Sequence, residues 1–400
     1  MKILMLTPYL PYPLVSGGQT RSYNLIKILS RKHDITLFSL IKEEKEKKFV
    51  PELEKYCKKV SVFKRSRTPF TLNNILQTGF GLYPFLVIRN LVSEEKKAIT
   101  SELKTNKYDL IHAETFYVMP HIPKTNIPIL LVDQTIEYLV YKHYVKVQAP
   151  LIAKPLFAID VAKLKYWETQ FWKNADRVVA MSDSDRKEML KLVPQLGVDI
   201  VPNGIDMTFF ADIVRKENKI PRILYVGNFK WLQNVEAAVV LIKNVWPLIK
   251  KEVKNAKLLI VSKFIPEEII KLKDNDIEIR ENIDDIRIAY EKSTVLVAPI
   301  EGPGGTRLKI LESMASSLPV VSTPVGVEGL GVKNGEQAFV SDNWKGLAEY
   351  AIKVIKNREL AKRLGKNASN FVRDNYSWDV SAKILDGLYK ETVNEKRKNT

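Results

Sequence analysis

The sequence predicts an α/β protein made of two Rossmann-like, doubly wound domains that face a cleft. Short apolar runs suited to strands buried on both faces recur along the chain, as at Lys2 to Leu6 and Val295 to Ile300. Glycine-containing turns and helically spaced apolar residues follow these two runs. The whole alternation starts again near residue 205, and 400 residues are too many for one ordinary core. We therefore expect a first domain at residues 1–205 and a second at residues 206–375.

The stretch after Val295–Ile300 has the residues of an anion site. It contains Gly304 and Gly305, then Thr306 as a predicted helix N-cap, with Arg307 and Lys309 in the first turn. Cations at a helix N-terminus oppose the macrodipole, so a sequence selected only for helix stability would carry acidic residues there. Two cations and free backbone amides favour a phosphate or diphosphate. The alternative is that a lysine-rich chain places lysines at every kind of position.

The N-terminal unit repeats the pattern. Gly17 and Gly18 immediately precede a predicted helix, and Arg21 lies in its first turn. The spacing is not that of a dinucleotide fingerprint, so a dinucleotide site is poorly supported. A ligand-binding turn and a tight turn without a ligand both remain open for the two glycines.

A histidine and a glutamate are expected at the end of a later strand of the first domain. His112 ends the predicted strand Asp109–His112, and the loop after it carries Glu114. Polar side chains beyond the carboxyl ends of parallel strands lie where doubly wound folds bind ligands. A catalytic role and a purely structural role are both open for His112.

Charge and composition narrow the classes of partner. The net charge is +17, and the first 200 residues hold 31 lysines and arginines against 20 acidic residues. No zinc-finger or RNP-type motif accompanies this charge, so a nucleic-acid partner is poorly supported. An anionic membrane surface and a solvated basic surface both remain open.

One cysteine and four scattered histidines predict neither a disulfide framework nor a zinc site. No apolar run is long enough to span a membrane, and we expect a cytoplasmic protein. Basic and aromatic residues that could face a membrane are Arg65, Arg67, Phe70, Tyr83, Lys142, Tyr144, Lys146, Lys154 and Phe157.

Six segments in a fixed order resemble the group 1 (family 4) glycosyltransferases of the GT-B fold, over nearly the whole chain. They are ADRVVAMSDSDR (Ala175–Arg186), VPNGID (Val201–Asp206), YVGNFKWLQN (Tyr225–Asn234), GGTRLKILESMA (Gly304–Ala315), PVVSTPVGVEGL (Pro319–Leu330) and YSWD (Tyr376–Asp379). The resemblance implies retaining transfer of a sugar from a nucleotide-sugar donor, without a metal or a further cofactor. It also implies that the first domain binds the acceptor, a glycan or a lipid-linked sugar, and that residues 376–400 form a helix that packs back on this domain.

The resemblance also assigns residues. Glu312 resembles the second of the family's two motif glutamates, which usually binds the ribose hydroxyls, whereas Gly304 stands at the position of the first. Asn228 replaces the family's arginine, so Lys230, Arg307 and Lys309 would have to supply positive charge. Because of these departures, a non-catalytic nucleotide-sugar-binding partner subunit is one alternative. A sugar-nucleotide epimerase on the same fold is another.

Overall fold

The computed structural model describes residues 1–66, 71–211, 213, 219–262, 264–302 and 308–398. The chain divides into two compact units. The first contains Met1–Pro202 and Trp378–Thr400, and the second contains Asn203–Ser377. Within the described residues, no helix is both long and apolar enough to cross a membrane.

The first unit is built on a seven-stranded parallel sheet in the order β3-β2-β1-β4-β5-β6-β7. Apart from the edge strands β3 and β7, its strands are almost wholly buried, as in parallel sheets covered by helices on both faces. The strands are β1 (Lys2–Thr7), β2 (Asp34–Ile41), β3 (Lys59–Lys64), β4 (Leu110–Glu114), β5 (Ile129–Asp133), β6 (Arg177–Ala180) and β7 (Val198–Ile200). The helices before residue 203 are α1 (Gly17–Leu29), α2 (Val50–Glu54), α3 (Leu72–Phe80), α4 (Phe85–Ile88), α5 (Ser93–Thr105), α6 (Glu137–Gln148), α7 (Lys154–Asn174) and α8 (Asp183–Leu192). Short 3₁₀ turns lie at Glu44–Phe49, Phe116–His121 and Leu151–Ala153.

The second unit has a six-stranded parallel sheet in the order β10-β9-β8-β11-β12-β13. Its strands are β8 (Arg222–Gly227), β9 (Lys257–Ser262), β10 (Ile277–Glu281), β11 (Val295–Ala298), β12 (Val320–Ser322) and β13 (Phe339–Val340). Its helices are α9 (Met207–Ala211), α10 (Leu232–Val240), α11 (Trp246–Glu252), α12 (Glu267–Ile270), α13 (Ile286–Glu291), α14 (Leu308–Ala315), α15 (Trp344–Lys356) and α16 (Arg358–Asn375), with a π-helical turn at Leu241–Val245 between α10 and α11. The doubly wound α/β fold predicted for both halves is therefore confirmed.

The last helix, α17 (Trp378–Lys398), belongs to the first unit and packs against α1. Its buried residues Leu385, Leu388 and Tyr389 join the core on one face of the first sheet. On the same helix, Asp386 accepts a hydrogen bond from His33 at 2.8 Å. The first unit therefore needs a segment that lies about 175 residues further along the chain than Pro202.

In each sheet the winding direction reverses between two neighbouring strands. The reversal lies between β1 and β4 in the first unit and between β8 and β11 in the second. Ligands of doubly wound folds bind beyond the carboxyl ends of the strands at this switch point. These two places are therefore where the functional side chains are sought.

Candidate functional site

Lys309 lies at the switch point of the second unit, in the first turn of α14. Its Nζ contacts Asn234 Oδ1 at 2.5 Å and the Tyr225 hydroxyl at 3.3 Å, and it lies 4.8 Å from the centre of the Tyr225 ring. Asn234 in turn donates to the backbone carbonyl of Asn228 at 2.8 Å. The predicted site residues Lys309 and Asn228 are thus linked through Asn234, although Lys309 follows β11 and Asn228 follows β8.

Glu312 is one turn further along α14. Its Oε2 accepts a 2.7 Å hydrogen bond from the hydroxyl of the fully buried Tyr290. Burial raises the pKa of Glu312, while the Tyr290 hydrogen bond and the charge of Lys309 lower it and only partly offset that effect. A carboxyl group fixed in this way, on the same helix as a lysine, can accept hydrogen bonds from the hydroxyls of a sugar.

Lys230 and Asn228 lie in the turn after β8. The Asn228 side chain accepts from the Lys230 backbone N–H at 3.1 Å, and Lys230 Nζ lies 3.7 Å above the centre of the Phe264 ring. A lysine ammonium over an aromatic face is attracted by the quadrupole of the ring. The turn between β8 and α10 therefore carries Lys230 as a second cation, and α10 contains Asn234.

The other predicted donor-site residues are Gly304, Gly305, Thr306 and Arg307. All four lie outside the described residues, so their predicted roles as amide donors, N-cap and phosphate-binding cation stay predictions. The described part of α14 begins at Leu308.

Glu114 occupies the matching position at the switch point of the first unit, with both carboxylate oxygens bound. Arg21 Nε lies 3.3 Å from Oε1, Gln134 Nε2 donates to Oε1 at 2.6 Å, and His112 Nε2 lies 2.6 Å from Oε2. Tyr389 of α17 contacts the other ring nitrogen of His112 at 2.6 Å. The residues of this buried cluster come from β4, α1, the loop after β5 and α17.

The buried cluster keeps Glu114 ionised. Burial by itself would raise the pKa of Glu114, but the hydrogen bond and charge of His112, followed by the charge of Arg21, outweigh it and lower the pKa. The Arg21 guanidinium also donates to the backbone carbonyl of Pro202 at 3.1 Å. Because His112 and Glu114 are fully buried and bound by protein groups, the geometry gives them a structural task. A catalytic role for either stays a prediction.

Gly17 and Gly18 do not precede α1 as expected; they are its first two residues, and Ser16 is the N-cap. The helix begins earlier because the Ser16 hydroxyl accepts the backbone N–H of Gln19 at 3.3 Å. Gly18 is closely packed: a Cβ there would lie 2.6 Å from Gln134 Oε1 and 2.7 Å from the Tyr9 hydroxyl, so a larger residue would displace these side chains. Donor binding by these glycines stays a prediction.

Sequence reasoning missed several partners of the predicted residues. Asn234 and Tyr225 lie within the quoted segment YVGNFKWLQN, so their place beside Lys309 could have been suspected. Tyr290 and Tyr389 lie outside the six quoted segments, and nothing local marks them. Across the described residues, no three His, Cys, Asp or Glu side chains are grouped so as to hold a metal ion.

Comparison with known proteins supports the same interpretation of the fold. Residues 220–357 match a family described as "Glycosyl transferases group 1", and residues 15–209 match "Glycosyltransferase Family 4". Anabaena HepE, solved in complex with UDP, superposes with a TM-score of 0.66 at 15% identity, covering 98% of this chain and 100% of that one. The fold and these matches define a glycosyltransferase of GT-B architecture. Within that class, the chain belongs to the group 1 (family 4) glycosyltransferases.

Two curated relatives give a more detailed comparison. A Klebsiella pneumoniae protein described as an uncharacterized 44.6 kDa protein in the cps region is 24% identical over 404 residues, 98% of this chain and 99% of that protein. The Staphylococcus aureus capsular polysaccharide biosynthesis glycosyltransferase CapM is 25% identical over 150 residues, 35% of this chain and 39% of CapM.

Proposed function

We propose that this glycosyltransferase is a retaining, metal-independent hexosyltransferase that uses a nucleotide-sugar donor. Its acceptor would be a glycan or a lipid-linked sugar, and its product would enter cell-surface polysaccharide biosynthesis. The names of the Klebsiella and Staphylococcus relatives and the UDP bound to HepE support this proposal. The observation that carries it is the pairing of Lys309 and Glu312 on one helix at the switch point of the second unit.

The second unit would bind the donor. Glu312, held by Tyr290, would accept hydrogen bonds from the ribose hydroxyls, and Lys309 and Lys230 would face the diphosphate together with Arg307. Departure of a nucleoside diphosphate develops negative charge on its oxygens. Preorganised cations and backbone dipoles aimed at that charge are usually the largest catalytic term. Side chains and helix amides would then stabilise the negative charge of the diphosphate, which a metal ion stabilises in other sites.

The first unit would bind the acceptor on the cytoplasmic side of a membrane. Its basic surplus of 31 lysines and arginines against 20 acidic residues in the first 200 positions favours an acceptor that lies at an anionic surface. No cofactor beyond the donor would be needed.

Turnover tests the proposal. The purified protein would be incubated with a panel of nucleotide sugars and a membrane extract that supplies acceptors, and release of nucleoside diphosphate would be measured with and without EDTA. We expect release from at least one donor, unchanged by EDTA, and a product that keeps the anomeric configuration of the donor by NMR. Loss of activity that Mg²⁺ or Mn²⁺ restores would contradict the metal-free mechanism. Binding without release from any donor would favour the non-catalytic partner subunit.

A further inference from the structure

Helix α3 of the first unit exposes the apolar side that a helix normally buries. It contains no charged residue, and Leu72, Ile75, Leu76 and Phe80 lie on one face at helical spacing. All four are exposed, and Phe80 keeps 91% of its surface. A helix on a soluble surface ordinarily turns such a row towards the core.

A second apolar row runs along α7 and the 3₁₀ turn before it. Ile152, Leu156, Ile159 and Tyr166 follow one another at intervals that keep them on one face, and all are exposed. Ile152 is 96% exposed and Leu156 is 71% exposed. Isolated exposed apolar side chains are common, but a row of this length is not.

The two rows adjoin. Lys163, on the same face of α7 as Ile159 and Tyr166, donates to the backbone carbonyls of Thr78 and Gly81 at 2.8 and 2.9 Å. Trp167 donates to the carbonyl of Leu82, which is itself 79% exposed, at 2.9 Å. These bonds fix the end of α3 and the turn after it against α7, so the two exposed rows lie on neighbouring helices of the first unit and are treated together as one surface. We call it the apolar surface.

The charges around the apolar surface have one sign. Lys142 and Lys146 are exposed one turn apart on α6, the helix that packs against α7. Asp160 and Glu168, in α7, are buried, and burial raises the pKa of the partly buried Glu137 to about 7. Across residues 137–174, all of them described, the exposed charges are therefore all positive.

We infer that the apolar surface docks on an anionic phospholipid bilayer, with its aliphatic and aromatic side chains inserted shallowly and its lysines at the headgroups. An apolar face bordered by lysines is the pattern of interfacial helices. A second copy fits less well, because a two-fold interface would bring two lysine-bordered surfaces together. The inference deepens the proposed function, since a lipid-linked acceptor lies in such a bilayer.

The structure also changes which side chains are involved. Tyr83 and Phe157, expected from sequence to face the membrane, pack against Trp167 and Tyr141 with ring centres 4.5 and 6.3 Å apart. Arg65 donates to Asn90 at 2.6 Å. Arg67 and Phe70 lie outside the described residues.

Vesicle co-sedimentation tests the inference. The full chain would be mixed with vesicles of equal parts phosphatidylglycerol and phosphatidylethanolamine, and with phosphatidylcholine vesicles, at low and high salt. We expect it to pellet with the anionic vesicles at low salt and to be released as the Debye length falls to ~3 Å at 1 M salt. The triple variant Phe80→Gln, Ile152→Gln, Leu156→Gln should lose at least tenfold in partitioning. Lys142→Gln and Lys146→Gln together should lose roughly twenty-five-fold, at about fivefold for each lysine.

Controls separate this inference from the proposed function. Ile270→Gln with Leu248→Gln removes exposed apolar residues of the second unit and should leave partitioning unchanged. Glu312→Ala should also pellet like the wild type, because vesicle binding requires no donor. Wild-type protein that stays in the supernatant with anionic vesicles at low salt would overturn the inference. So would a triple variant that pellets normally, or a wild-type dimer in sedimentation velocity that the triple variant converts to monomers without any vesicle binding.

Discussion

The two units have the same strand order around their switch points, but they keep their charged residues in different places. In the second unit, the buried polar residues within the described part are serines and a threonine. The first unit buries charged or titratable side chains throughout its core. They are Arg21, His33, Glu95, Glu102, His112, Glu114, His121, Asp133, Asp160, Glu168 and Asp386.

This difference shows that equivalent positions of one topology can do different work. At the first switch point Glu114 contacts Arg21 and His112. His112 also contacts Tyr389 of the last helix, and Arg21 donates to the carbonyl of Pro202. At the second, the hydrogen-bond partners of Lys309 and Glu312 are the neutral polar groups of Asn234 and Tyr290. The first cluster is thus suited to holding structure and the second to binding a charged ligand.

The largest expected effect is on stability, from Glu114→Ala. Removing this carboxylate leaves the buried Arg21 guanidinium without its counter-charge, which typically costs ~3–5 kcal/mol of unfolding free energy. Urea unfolding followed by circular dichroism would measure it. Lys345→Ala breaks a surface pair with Glu349 and serves as the control, which should barely move the midpoint. A Glu114→Ala variant as stable as the control would mean that the buried cluster is not structural.

The second effect is on turnover, from Lys309→Met. The substitution keeps the aliphatic length and removes the cation beside Asn234, so charge on the leaving diphosphate loses a fixed partner. We expect kcat to fall ~10²–10³-fold while the unfolding midpoint changes little. Lys345→Met makes the same charge change on α15 and should keep full activity. Equal rates for both variants would remove Lys309 from the site.

A third effect sharpens the comparison through pH. Burial raises the pKa of Glu95 to about 8 from its ordinary 4.5, and its neighbour His121 has a pKa lowered to about 4. The folded state holds a proton on Glu95 that the unfolded chain releases. Its stabilising contribution is therefore full below pH 4.5 and is lost as pH rises towards 8.

The Glu95→Gln side chain cannot ionise. The fall in unfolding free energy that Glu95 causes between pH 5 and pH 8, roughly 2–4 kcal/mol, should therefore be absent in this variant. Urea unfolding at a series of pH values measures the change. Glu94→Gln, on the exposed side of the same helix, should keep the wild-type slope. A parallel slope for Glu95→Gln would show that the carboxyl group is already ionised in the folded protein.

Local patterns in the sequence predicted much of the fold. The apolar run Lys2–Leu6 corresponds to β1 (Lys2–Thr7), and the run Val295–Ile300 contains β11 (Val295–Ala298). The predictions were wrong at helix ends, because a single capping hydroxyl group determines where a helix begins. Gly17 and Gly18, expected before the helix, are the first two residues of α1 because the Ser16 hydroxyl caps it. Periodicity does not distinguish neighbouring residues that could all cap a helix.

The sites were less predictable because their contacts are distant in sequence. The His112–Tyr389 contact joins residues 277 positions apart, and the Lys309–Asn234 contact joins residues 75 apart. No spacing rule reports such pairs. The apolar surface was missed for another reason: helical spacing places Leu72, Ile75 and Phe80 on one face but does not say whether that face points inward or outward.

Nucleotide binding by Glu312 is the most direct test of the claim that the charged groups of the second unit bind the donor. Calorimetric titration of UDP, and of GDP and ADP in parallel, would compare the wild type with Glu312→Ala and with Glu359→Ala, an exposed glutamate on α16. Loss of a charged hydrogen-bond acceptor predicts affinity weaker by ~1–3 kcal/mol for Glu312→Ala and unchanged for the control. Unchanged affinity in Glu312→Ala, with the nucleotide still bound, would contradict the assignment of the donor site.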